Sequence, residues 1–219
     1  MLPRIFLAIL TVGILYVGYR FIALKVASRD LVIEKTDMVP VVLQAETLYV
    51  DIHEVTNRQY STFAKKKVIS AGHSMRYPDR DHPRQPAAGV KLMGARAFCK
   101  ACGKRLMTIE DFRFIAGSFG SRYEFGDDID TSEAVFSLNY MDRKTPEEVM
   151  SKKPNEYGIY DLTGNVWELL DSRNSEGKIL VAGGAYYMTK EALRLDSLCL
   201  NAAEYHELTN PSIGFRCVR

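Results

Sequence analysis

The 219-residue chain has a single Trp, only four Cys and only four His. His53, His73, His82 and His206 show no HxxxH or HxE spacing, so a compact histidine metal site has no basis in the sequence. There is also no block of positive charge. The formal net charge is +2, and Arg4, Arg20, Lys25 and Arg29 against Asp30 account for it, leaving a nearly neutral remainder. That balance leaves no basic block on the scale of a nucleic-acid-binding face, and no nucleic-acid partner is expected. No repeat of about 20–50 residues is present, which excludes a solenoid. Proline is sparse at 8 residues and the apolar fraction is 47%, which excludes wholesale disorder. The length does not leave room for two ordinary catalytic domains.

The chain does have one long apolar run. No charge occurs from Ile5 to Tyr19, and apolar residues resume after Arg20 with Phe21, Ile22, Ala23 and Leu24. A helix of about 20 residues rises roughly 30 Å, the thickness of a bilayer core. Residues 1–30 therefore read as a single-pass membrane anchor and its flank, crossing the lipid over residues 5–24. Arg20 can snorkel to the headgroups, and Tyr16 and Tyr19 suit an interface. The rival is a cleaved signal peptide, but Lys25 and Arg29 stand where small neutral residues should prepare the cleavage site. Positive charge on both flanks leaves the orientation open.

Residues 31–40 read as an extended linker ending at Pro40, and residues 41–50 as one strand. Thr56 caps an expected helix over 57–66, with Tyr60 and Phe63 on its buried face. Residues 72–89, with Pro78, Pro83 and Pro86, are loop. A second helix is expected over 90–102, with Met93, Ala97 and Ala101 at i,i+4 spacing and Gly103 as its stop. Thr108 caps a third, with Asp111 completing a capping box and Phe112 and Ile115 forming the stripe. Residues 117–154 carry little regular signal. Strands are expected over 166–170, around 179–187 and over 214–218. Short helices followed by short, glycine-punctuated strands give an α+β domain over 41–219.

The order of several motifs is specific. Glu54-Val55-Thr56-Asn57-Arg58-Gln59-Tyr60 precedes Ala97-Phe98-Cys99, Gly103-Lys104-Arg105-Leu106 and Thr108. Then follow Asn155-Glu156-Tyr157-Gly158-Ile159-Tyr160-Asp161-Leu162-Thr163-Gly164-Asn165-Val166-Trp167-Glu168, Gly183-Gly184-Ala185-Tyr186 and Gly214-Phe215-Arg216-Cys217. This pattern resembles the formylglycine-generating sulfatase-modifying enzyme family, and the resemblance implies a loop-rich variant of the C-type lectin fold.

In that family the positions matching Asp161, Gly164, Val166 and Glu168 hold a structural calcium through two side chains and two backbone carbonyls. Oxygen donors of this kind suit a hard cation. The alternative is a Gly-Asn turn with solvated carboxylates. The resemblance also implies a disulfide between Cys99 and Cys217, and a buried tie from Arg216 to an internal carboxylate. Cys102 and Cys199 are left as a second bridge, which the family pattern does not itself contain. Cys99-Lys100-Ala101-Cys102 also admits a redox reading, although a helix C-terminus does not lower a thiol pKa. Trp167 reads as a core plug with its indole N–H bonded.

Catalytic members of the family oxidise a substrate cysteine with copper held by two cysteines just after the Gly-Gly pair. The matching positions here are Met188 and Leu193. A thioether and an isobutyl group do not replace two thiolates, so no copper is expected. An iron-dependent branch uses histidines that the four scattered ones here do not reproduce. Tyr186, Tyr187 and Arg194 remain as cleft candidates without a nucleophile–base constellation.

The expectation is a membrane-anchored, non-catalytic binding or accessory subunit of a membrane complex, with no catalytic residue of its own. The alternative is an extracytoplasmic oxidoreductase with an altered active site. Disulfides and calcium suit an oxidising compartment, which places the N-terminus in the cytoplasm and the domain outside, in the periplasm if the cell is Gram-negative.

Overall fold

Residues 41–50 do not form one strand in the computed structural model; the chain folds back on itself. Met38–Leu43 (β1) and Glu46–Asp51 (β2) pair antiparallel, with Val41 opposite Leu48 and Val39 opposite Val50. Glu46 and Thr47 begin the second arm of the hairpin and are exposed there. Pro40 has no N–H to give, and it sits in β1, at the edge of its sheet. The structure describes residues 35–43, 45–66, 81–139, 145–195, 201–203 and 210–219. The chain divides into Met1–Glu34 and Lys35–Arg219, and all described residues belong to the second unit. The expected membrane segment, residues 5–24, lies outside them. No helix among the described residues is long and apolar enough to cross a membrane.

Among the described residues, three α-helices follow the hairpin: Asn57–Lys66 (α1), Leu92–Ala101 (α2) and Ile109–Phe119 (α3), with Arg105–Leu106 (β3) between the last two. The Thr56 hydroxyl accepts from Gln59 N at 3.2 Å and the Gln59 amide oxygen accepts from Thr56 N at 2.8 Å, a reciprocal cap. The capping box at α3 forms as expected, with Thr108 N donating to Asp111 Oδ2 at 2.7 Å. The buried face of α2 differs from the expected one. Leu92, Ala95, Phe98 and Cys99 point inward, while Met93 is 54% exposed and Ala101 is exposed. The i,i+4 spacing alone did not distinguish two parallel stripes; the bulk of Phe98 selects the one that faces the core.

No helix or named strand occurs among the described residues between Phe119 and Trp167. Strands Trp167–Arg173 (β4), Ile179–Ala182 (β5), Asn201–Ala203 (β6), Ile213–Gly214 (β7) and Cys217–Val218 (β8) complete the domain. Two sheets result, in the orders β1-β2-β8-β3 and β6-β5-β4-β7. The expected closing strand over 214–218 is thus split: β7 runs parallel to β4 in one sheet, and β8 lies antiparallel between β2 and β3 in the other. The last turn of chain therefore ties the two sheets together.

The main core gathers Val41, Val50, Met107, Phe112, Ile115, Ile159, Leu162, Leu170 and Val218. Beside it, Tyr60, Phe63, Phe98 and Phe215 stack at centroid distances of 5.4–6.0 Å, joining α1 and α2 to the chain end. Cys99 and Cys217 form a disulfide that links α2 to β8 across 118 residues. Cys102 carries a free, buried thiol. Its expected partner, Cys199, lies outside the described residues. Burial pushes the Cys102 thiol up from its ordinary range, the opposite of an activated redox cysteine.

Candidate functional site

The split between β7 and β8 places Arg216 where the two sheets meet. Its guanidinium has no exposed surface and donates to Glu168 Oε1 at 2.6 Å, Asp51 O at 3.1 Å and Tyr160 O at 2.9 Å. The buried tie expected for Arg216 is thus to Glu168, on β4. Around it lie further buried carboxyls, Glu54, Asp161 and Glu124. Asp51 is paired with Lys104, and burial still pushes its carboxyl up to about 6.

Each remaining carboxyl is held by the irregular chain. Asp161 has φ 57°, and its Oδ2 accepts from Met150 N at 2.8 Å. Glu54 Oε1 accepts from the Asn165 side chain at 3.1 Å. Glu124 accepts from Asn155 Nδ2 at 2.7 Å and Thr163 N at 3.0 Å. Three buried carboxyl oxygens in this region, Glu54 Oε2, Asp161 Oδ1 and Glu168 Oε2, have no hydrogen-bond partner, and neither does the Thr163 hydroxyl. Burial raises all these carboxyls above their ordinary range, Glu124 to about 8 and Glu54 well above it, where Asp161 adds repulsion.

Asn165 organises the loop. At φ 50° it donates its N–H to Val135 O, accepts from Glu147 N on its side chain, holds Glu54, and accepts from Tyr186 N on its carbonyl. Gly164, at φ 85°, lies so close to Val135 O that a Cβ would overlap it. The Asp161–Glu168 turn is thus held at close quarters. Asp161 and Glu168 each keep one buried oxygen free, and the backbone between them carries the Gly164 and Val166 carbonyls, so the donor chemistry fits the expected calcium ligands. No group of three or more His, Cys, Asp and Glu side chains among the described residues is arranged to hold a metal ion; such a site depends on backbone oxygen. The sequence reading did not single out Glu54, Glu124 or Asn165. Glu54 and Asn165 lay within quoted motifs, but Glu124 carries no local signal.

The Gly183-Gly184 pair has φ of 83° and 78°, and a Cβ on Gly183 would stand 2.6 Å from Leu162 O. Beyond it, Met188 is half-buried, its carbonyl accepting from Ser137 N at 2.8 Å. Leu193 has no exposed surface. Trp167 is buried and donates its indole N–H to Tyr187 Oη at 3.0 Å, as a core plug should. Tyr186 packs edge-on against Tyr187. Arg194 lines an open cleft in which Tyr186 and Tyr187 take no part, so the three cleft candidates are not brought together. His53 bonds the Glu54 carbonyl; His73 and His206 lie outside the described residues.

A serine/threonine-protein kinase pkn1 of Chlamydia caviae is 26% identical over 208 residues, covering 79% of this chain and 33% of the kinase. The formylglycine-generating enzyme of Streptomyces coelicolor is 30% identical over 100 residues, covering 39% of this chain and 32% of the enzyme. The chain thus spans about a third of the length of the curated relatives it matches. Among solved structures, CarF superposes with a TM-score of 0.66 at 20% identity, over 84% of this chain and 98% of CarF. The sulfatase-modifying factor enzyme 1-like domain matches residues 29–219, and the chain belongs to that family.

Proposed function

We propose that the chain is a membrane-anchored, extracytoplasmic, non-catalytic binding module that serves a membrane protein complex. The observation that carries this reading is the pair Met188 and Leu193 at the positions of the family's copper-binding cysteines. Leu193 is wholly buried, so it fills the interior as a core residue and presents nothing to a substrate. The retained signature residues have structural roles: Arg216 clamps the sheets, Asn165 wires the loops, and Trp167 plugs the core.

Calcium belongs to the same reading as a structural ion. Arg216 faces the carboxyls of Glu54, Asp161 and Glu168, and Lys152 adds its charge at Asp161. A divalent cation on Asp161 and Glu168, with the Gly164 and Val166 carbonyls, offsets negative charge in that group and engages two of the oxygens without partners. The Cys99–Cys217 disulfide supports an oxidising compartment, with the N-terminal segment as the anchor.

The test is anaerobic Cu(I) titration of the full chain in detergent, beside M188C/L193C, with conversion of a peptide carrying the sulfatase cysteine as the activity readout. The natural chain should neither hold Cu(I) stoichiometrically nor convert the peptide, and the double variant should gain Cu(I) binding. Tight Cu(I) with turnover by the natural chain overturns the reading in favour of an altered oxidoreductase.

A further inference from the structure

Residues 145–151 are fastened to the turn 161–168 by two backbone amides. Met150 N donates to Asp161 Oδ2 at 2.8 Å, and Glu147 N donates to Asn165 Oδ1 at 3.0 Å. Asp161 is one of the expected calcium ligands, and Asn165 stands between the other two turn positions, Gly164 and Val166. Asp161 thus divides its carboxyl group: Oδ2 serves the loop, while Oδ1 is buried without a hydrogen-bond partner. Met150 has φ 63°, a conformation that a long side chain adopts only under constraint. Its side chain is 39% exposed and supplies little of that constraint; the N–H bond to Asp161 supplies it. On its other side the loop is anchored independently of the turn. Val149 is buried and its N–H donates to Arg84 O at 3.0 Å, and Gln85 Nε2 donates to Pro146 O at 2.7 Å.

We propose, resting on the calcium reading above, that calcium in the turn 161–168 controls the shape of this surface loop through Asp161 and Asn165. With Oδ1 engaged by a cation, the Asp161 carboxylate is fixed in direction and Oδ2 faces the Met150 N–H. A bond to an oriented, ionised carboxylate is strong, and partners that bond a metal ligand from outside depend on that orientation. Without the cation, Oδ1 has nothing to hold it and the carboxyl group is free to turn. The Met150 bond and the left-handed backbone it enforces are then lost together. Glu147 follows, because the backbone that carries Asn165 also carries the Gly164 and Val166 carbonyls. Glu148, Met150 and Ser151 are the exposed residues of this stretch, so the surface they present changes with calcium. A module that binds a partner thereby acquires a calcium-dependent face.

The experiment is amide hydrogen exchange of the full chain in neutral detergent, resolved by residue, in calcium chloride and in EDTA, with the melting temperature measured in both. Tyr49, whose N–H donates to Arg219 O at 2.9 Å in the other sheet, is the internal reference. The expected result is that EDTA lowers the melting temperature and speeds exchange at Glu147 and Met150 by about tenfold or more beyond any change at Tyr49. E168Q removes a calcium ligand whose side chain bonds neither amide, and in calcium it should exchange at Glu147 and Met150 as the natural chain does in EDTA. A melting temperature that responds to calcium, with Glu147 and Met150 changing no more than Tyr49, overturns the loop proposal and leaves the structural ion standing. A melting temperature and exchange pattern that both ignore calcium overturn the calcium reading, and the loop proposal with it.

Discussion

Arg216 and Glu168 are joined by a 2.6 Å bond between two side chains that have no exposed surface. The guanidinium's two other bonds go to the carbonyls of Asp51, on β2, and Tyr160, so one residue near the chain end fastens both sheets and the loop before β4. Truncating it to Met leaves the surrounding carboxyls without their cation. Arg216→Met should lower stability by about 3–5 kcal/mol, read as the urea midpoint, and R216M/E168M should recover part of that loss. A single variant within 1 kcal/mol of the natural chain would show that the clamp is dispensable.

Removing divalent metal should destabilise the domain if Asp161 and Glu168 hold calcium. EDTA should lower the melting temperature and added calcium should restore it, while E168Q should make the protein insensitive to both. A melting temperature unaffected by chelation would leave the free oxygens of Asp161 and Glu168 to protonation alone.

The buried Glu124 has its carboxyl raised to about 8. In the unfolded chain it titrates near 4.3. Between these values the folded state binds more protons, so this contribution to stability is complete below the unfolded value, declines as pH rises, and is gone above about 8. Denaturant midpoints should therefore fall from pH 5 to pH 8, with Glu124 contributing on the order of a few kcal/mol. E124Q should flatten that slope, and an identical slope in the variant would assign it to other groups.

Gly94 lies in α2 under the hydroxyl of Tyr60, and a Cβ there would overlap that oxygen. Gly94→Ala should cost about 1–3 kcal/mol through overpacking. Tyr60→Phe removes the obstruction and also a buried hydroxyl without a partner, so G94A/Y60F should be more stable than G94A. If the double variant is no better, the hydroxyl is not the obstacle.

Breaking the Cys99–Cys217 disulfide releases a long loop in the unfolded chain. C99A/C217A should lose about 2–5 kcal/mol, measured by thermal unfolding, and protein taken from cells without reductant should resist thiol labelling at both positions. Full labelling at Cys99 and Cys217 would argue against an oxidising compartment.

Local chemistry was legible along the chain. Thr108 and Asp111 are three residues apart, and their mutual capping needs only one turn of helix. The pairing of Cys99 with Cys217 and the Asp161–Glu168 block were readable through a resemblance, because the family's motifs keep their order here. The inward face of α2 was not legible. Met93, Ala97 and Ala101 satisfy helical spacing as well as Leu92, Ala95 and Phe98 do, and only the aromatic cluster around Phe215 decides between them.

By itself, the sequence determined the α+β class, the helix caps and the family pattern, all of which depend on residue identity or on partners a few positions apart. Only the tertiary structure decided that Glu54 meets Asn165 across 111 residues and that Arg216 meets Glu168 across 48. Those relationships arise where β7 and β8 part to join different sheets and where irregular loops close over them. No periodicity encodes that geometry, since burial of a charge is set by which distant segments surround it.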